Sequence, residues 1–162
     1  MVENLIFVRI DDRLIHGQVV AAWLRAYDNV RNILVVDDAT SQDSFMHDMF
    51  KMLVPPEISI EIKSVDEAVP LLQEGLPKPT MMIVKAPVTI KRILERGITF
   101  PKLNIGGMGM SGNRKKLFQN VSASPEEREM FSEMISQGMT VEVQIIPAAK
   151  TVNVASIVNK KR

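Results

Sequence analysis

No cysteine occurs among the 162 residues. That excludes disulfides, thiolate zinc sites and a cysteine nucleophile, and it fits a reducing compartment. Aromatic residues are scarce, with one tryptophan and one tyrosine, too few for a base-stacking platform. Charge of one sign is missing too. Lys+Arg number 20 and Asp+Glu 19, a formal net charge of +1, so nothing global points to nucleic acid. No apolar run approaches the ~20 residues that a membrane-spanning helix needs. The amino terminus lacks a basic segment followed by a signal-like core. Together these absences predict a cytoplasmic globular protein. Only two histidines are present, and no spacing around them resembles a ligand motif, so no metal and no cofactor is expected.

What is present is enough for a core: 46% of residues are hydrophobic, and the length predicts one domain over 1–162. Eleven methionines read as core filling. Strand-like and helix-like runs alternate. Strands are expected over 5–10, 33–37, 58–62, 81–85, 103–105 and 140–146, with a further short one near Val121. Helices are expected over 17–27, over 41–53 with Phe45, Met49 and Met52 or Leu53 on one face, over 88–96 and over 152–158. Ser64 with Glu67 three residues on forms a capping box, for a helix ending near Gly75. Ser124-Pro125-Glu126-Glu127 opens another, ended by Gly138. The tail Lys160-Lys161-Arg162 reads as solvated fray. Such alternation makes an α/β fold, a mainly parallel open sheet with helices on both faces in three α/β/α layers.

Parallel strands place their carboxyl ends on one edge, where ligands of open α/β sheets bind. Polar residues crowd that edge: Arg9-Ile10-Asp11-Asp12-Arg13, Asp37-Asp38-Ala39-Thr40-Ser41, Lys85-Ala86-Pro87 and Gly106-Gly107-Met108-Gly109. The amino ends, such as Asn32 and Pro79-Thr80, offer less. The first of these loops continues to Leu14-Ile15-His16-Gly17-Gln18-Val19. It sets an imidazole between an arginine and a helix start, which suits a nucleophile beside an anion grip. Arg13 and Arg9 are candidate phosphate clamps, although each could instead pair with an aspartate and brace the loop. Gly17 leaves room for phosphate oxygens at the free N–H groups of the helix. Asp11 and Asp12 could orient the imidazole or brace the arginines. His47, within an amphipathic helix, reads as a surface residue. The stretch from Gly106 to Gly112 lacks a Gly-Lys-Ser/Thr ending and reads as a flexible turn framing the site. Thr40 or Ser41 reads as a helix cap.

The run Arg9-Ile10-Asp11-Asp12-Arg13-Leu14-Ile15-His16-Gly17-Gln18-Val19 resembles the active-site signature of the IIB components of the mannose–fructose–sorbose family of bacterial sugar phosphotransferase systems. The resemblance continues through Val35-Val36-Asp37-Asp38, Leu103-Asn104-Ile105-Gly106-Gly107-Met108 and Val143-Gln144-Ile145-Ile146-Pro147. It implies a phosphocarrier in which His16, through Nδ1, accepts a phosphoryl group from a IIA protein. The group then passes to a sugar held by membrane IIC and IID proteins. It also implies a cytoplasmic chain peripheral to the permease, and a possible homodimer. Read from the residues alone, a non-covalent sensor of a phosphorylated metabolite stays open, as does, more weakly, a hydrolase using His16 as base.

Overall fold

The computed structural model describes residues 1–158; the expected fray at 160–162 lies outside them. Among the described residues, seven strands form one sheet in the order β3-β2-β4-β1-β5-β8-β9. They are β1 (Leu5–Asp11), β2 (Asn32–Val36), β3 (Ser59–Lys63), β4 (Thr80–Val84), β5 (Lys102–Gly107), β8 (Thr140–Val143) and β9 (Val152–Asn153). All neighbours run parallel except β9 on β8. A separate antiparallel hairpin, β6 (Lys115–Phe118) and β7 (Val121–Ala123), follows β5.

The central strands β2 and β4 are buried along their whole length, which is why they read as unbroken apolar runs rather than alternating ones. β1 divides its side chains between two cores. Val8 and Ile10 face the larger one, beneath α4 (Val65–Glu74), α5 (Pro87–Glu95), α6 (Pro125–Ser136) and α7 (Val154–Val158). Phe7 faces the smaller one, beneath α1 (Gly17–Ala26) and α3 (Ser44–Leu53). Strand alternation sends Arg9 and Asp11 to the same side as Phe7. There Phe7 stacks on Trp23 of α1, with ring centroids 4.6 Å apart.

Helix starts follow the sequence signals. Both Ser64 with Glu67 and Ser124 with Glu127 form complete capping boxes. The helix expected over 41–53 begins three residues later, as α3, and a separate short helix precedes it. Asp37 caps the short α2 (Asp38–Ser41), and Asp43 caps α3. Thr40 and Ser41 do not cap: Thr40 donates its hydroxyl to Asp37 at 2.6 Å. Each aspartate has extended backbone and accepts an N–H of the first turn with its side chain, Asp37 from Thr40 and Asp43 from Met46, as an N-cap residue does. In α3 the buried side is set by Phe50, with Met46 and Met49 against the core. Phe45 and Met52 of the expected face point outward, 70% and 84% exposed. The last strand stops at Val143 rather than Ile146, and 152–158 begins as β9 before turning helical.

Candidate active site at the carboxyl end of β1

The register of β1 and β5 builds the floor of the site. Arg9 pairs with Asn104, and Asp11, after a bulge, with Gly107. Arg9 is 2% exposed. Its Nη1 donates to Asn104 Oδ1 at 2.6 Å and to the Gln144 carbonyl at 3.0 Å. Its Nη2 donates to the Ile145 carbonyl at 2.9 Å and to Asp11 Oδ2 at 3.3 Å. The guanidinium lies 5.3 Å from the Trp23 ring centroid, a cation–π distance. Burial pushes its pKa down to about 10 against the pull of Asp11, so it stays charged at neutral pH.

Two glycines exist to admit this arrangement. A Cβ at Gly106 would fall 1.8 Å from Arg9 Cζ, and one at Gly107 would fall 2.9 Å from Asp11 Oδ1. The Arg-Ile-Asp-Asp run and the Gly-Gly run, about a hundred residues apart, are therefore packing partners. Gly106 and Gly107 thus belong to β5 rather than to the turn that composition suggests, and the loop proper begins at Gly109 and turns at Gly112.

Asp11 is 1% exposed and gathers both arginines. Besides Arg9 it accepts the Arg13 backbone N–H at 3.0 Å and Arg13 Nε at 3.2 Å. Asp12 turns to the glycine loop and accepts the Gly109 N–H at 2.7 Å. Neither carboxylate bonds the His16 ring. Of the two open roles for these residues, the contacts are those of braces. The Leu14 and Ile15 side chains are buried and pin the loop from below. Leu14 adopts φ +57°, a left-handed conformation costing about 1 kcal/mol for a residue with a Cβ.

Above this floor the loop opens to solvent. Arg13 has 45% of its side chain exposed, and Asp11 anchors it on one side only. His16 is exposed and sits at the N-cap position of α1, with no side-chain cap hydrogen bond. Its carbonyl accepts the Val20 N–H, so the N–H groups of Gly17, Gln18 and Val19 have no partner within the helix. At Gly17 a Cβ would meet only Leu53 Cδ2, at 3.9 Å. Gly17 is thus free of steric demand from the fold, unlike Gly106. The same contact brings the apolar end of α3 beside His16.

His47 is half-buried rather than a free surface residue, with Nε2 3.1 Å from the Ser41 carbonyl. Among the described residues no group of His, Asp and Glu could hold a metal ion. No described helix is long and apolar enough to cross a membrane. One residue at the site carries no signal in the loop sequence: Arg114, just before β6, which reaches back to the glycine loop and Asp12. Only its place just after a glycine-rich stretch could have drawn attention to it.

Comparison with known proteins places this geometry. Residues 5–162 match the family of PTS system sorbose subfamily IIB components. The sorbose-specific EIIB component of Klebsiella pneumoniae is 25% identical over 159 residues, 97% of this chain and 96% of its own. The mannose-specific EIIAB component of Escherichia coli K12 is 28% identical over 94% of this chain, which spans 47% of that longer protein. The crystal structure of manxB from Thermoanaerobacter tengcongensis superposes with a TM-score of 0.88 at 31% identity, covering 97% of this chain and 96% of that one. The chain belongs to the IIB components of the mannose–fructose–sorbose family of sugar phosphotransferase systems.

Proposed function

We propose that the chain is a single-domain cytoplasmic phosphocarrier, peripheral to a sugar permease, with His16 as the residue that holds the phosphoryl group. One observation carries this reading. His16 is an exposed imidazole with no hydrogen-bonded partner among the described residues, at the start of a ten-residue helix that no side chain caps, and three residues from a half-exposed arginine. In the first step a ring nitrogen of His16, Nδ1 by family resemblance, attacks the phosphorus carried by a IIA protein. The bond from phosphorus to the donor histidine breaks, and the donor imidazole keeps the electron pair. In the second step a sugar hydroxyl, held by IIC and IID, attacks phosphorus. The bond to His16 breaks, and the hydroxyl proton passes to solvent. No metal or cofactor enters either step. The IIA partner is in keeping with the relative named EIIAB.

The residues around His16 divide the work. Arg13 and the N–H groups from Gly17 onward stabilise the charge spread over the equatorial oxygens, the main task of a phosphoryl-transfer site. Asp11 aims Arg13. Arg9, with its guanidinium spent on Asn104, Asp11 and two carbonyls, is a strut beneath the loop rather than a second clamp.

Incubation with a radiolabelled, phosphorylated IIA protein tests the reading. Label should enter the wild type and His47→Ala and should not enter His16→Ala, whose fold should be intact because the residue is exposed and makes no side-chain cap hydrogen bond. The label should be lost in brief acid and survive alkali, as a phosphoramidate does. Label retained by His16→Ala, or stable to acid, would refute the assignment.

A further inference from the structure

Gly109 is held at both of its backbone polar groups. Its N–H donates to Asp12 Oδ2 at 2.7 Å, and its carbonyl accepts from Arg114 Nη1 at 3.0 Å. The same guanidinium forks onto Glu127, with Nε and Nη2 donating to the two carboxylate oxygens at 2.8 Å each. Its Nη1 also lies 4.0 Å from Asp12 Oδ2. Arg114 and Glu127 are 13% and 14% exposed. Glu127 is itself fixed, because its carboxylate accepts the Ser124 N–H at 3.0 Å in the capping box of α6. One planar side chain therefore ties the start of α6 to the glycine loop and to the aspartate that opens the His16 loop.

We propose that Arg114 is a positioning residue for phosphoryl transfer at His16, acting through Gly109 and Asp12. This rests on the reading of His16 as the carrier. Three observations support it. First, the link reaches away from the core. The hairpin has its own β6–β7 ladder, and α6 has its own cap, so the bonds to Gly109 and toward Asp12 serve the site's edge. Second, the loop they steady contains a strained residue, Leu14 at φ +57°. Such a conformation persists only where the surroundings over-determine it. Buried Asp11 does this from below, and Asp12 does it from the side through Gly109. Third, the fork is specific to arginine: lysine cannot meet Glu127 through two donors and Gly109 through a third in one plane. A small error in attack geometry is costly in rate, so the expected effect falls on the transfer step and not on donor binding.

The test is the rate of label transfer from the phosphorylated IIA protein to full-length variants, with donor concentration varied and unfolding measured alongside. Arg114→Gln should lower the rate at saturating donor by about tenfold while the half-saturating donor concentration stays the same. Arg114→Lys should restore part of it. The exchange Arg114→Glu with Glu127→Arg should recover part of the stability lost in Arg114→Glu, because the ion pair is remade, although the Ser124 N–H loses its acceptor and a cation enters the first turn of α6. It should not recover rate, because a carboxylate cannot donate to Gly109 and repels Asp12. Should Arg114→Gln fail to fold, Glu127→Gln keeps the guanidinium but loosens its aim, and an intermediate loss of rate is expected. Wild-type rate in Arg114→Gln, or in a folded Glu127→Gln, overturns the proposal, as does full recovery of rate in the exchanged pair. Absence of label on His16 of the wild type would overturn the carrier reading itself, a distinct outcome.

Discussion

The two halves of one short loop behave as different materials. Arg9 and Asp11 are buried at 2% and 1% exposure, and every strong group on them has a protein partner. Arg13 and His16, a few residues on, are exposed, and the His16 ring has no hydrogen-bonded partner among the described residues. In the sequence both halves are polar and charged, and nothing distinguishes a clamp from a strut. The difference arises from β1: while the chain is still in the sheet, alternation turns Arg9 and Asp11 under α1. Once the strand ends, the side chains are released upward. A buried rigid half supports an exposed reactive half. That arrangement over-determines the shape of a site that has a strained backbone and a helix start without a side-chain cap.

The comparison is broken most severely from below. Arg9→Met should cost about 3–5 kcal/mol, the range for removing one partner of a buried ion pair. It leaves Asp11 with Arg13 alone and Asn104 Oδ1 without its donor, and it takes one of two donors from the Gln144 and Ile145 carbonyls, which keep Asn104 Nδ2 and Trp23 Nε1. Urea unfolding measures it, and a loss under 1 kcal/mol would mean that Arg9 is no strut. From above, Arg13→Lys should leave the unfolding midpoint within about 0.5 kcal/mol, as for other exposed positions. It should still slow phosphoryl transfer by a factor of about 100, near 3 kcal/mol of lost transition-state stabilisation. Rapid-quench transfer at wild-type rate would remove Arg13 from the clamp.

The architecture was legible because its signals are local. Apolar β-branched runs separated by capped helices require no tertiary knowledge, and both capping boxes stand where serine and glutamate lie three apart. The helix expected over 41–53 forms over Ser44–Leu53, its start set by the Asp43 cap, but its buried face was misjudged because residues 45, 49 and 52 fit a helical period while Met46, Met49 and Phe50 are the ones that meet the core. Hairpin strand β6 was missed because Lys115-Lys116-Leu117-Phe118 has little β-branching and is defined by its partner β7. At the site, His16, Arg13 and Gly17 could be named from the loop. The purpose of Gly106 and Gly107 could not, because it depends on Arg9 and Asp11 lying across them after about a hundred residues of intervening chain. Arg114 shares that obstacle.

A smaller effect separates the latch from the floor by pH. Burial works to raise the Glu127 pKa, but the hydrogen bonds from Arg114, with the Ser124 N–H, outweigh it and hold the carboxylate below its ordinary value. A depressed carboxylate contributes stability that is complete above its unfolded pKa, about 4.3, and is lost as pH falls through the folded one. As pH falls below about 4.3 the wild type should therefore lose more stability than Glu127→Gln. Chemical denaturation across that range measures the difference in slope, and parallel curves would show that the pair contributes nothing in solution.

The smallest effect sharpens the contrast between two glycines. At Gly106 an added methyl would land in the Arg9 guanidinium, whereas at Gly17 it meets only Leu53 Cδ2 at ordinary contact distance. Gly17→Ala should therefore fold. Alanine is also the better helix former by up to about 1 kcal/mol, so the unfolding midpoint should hold or rise slightly. Yet Gly17 is the first residue of α1, directly after His16, where phosphate oxygens would approach the free N–H groups. A methyl there narrows the approach without removing a donor. The expected cost is a few-fold in transfer rate, well short of the ~100-fold for a lost charged donor. The combination matters: a variant at least as stable as wild type but slower would show that this glycine is kept open for the incoming group. A variant equally fast would show that the helix start needs no such clearance and that Arg13 carries the anion largely alone.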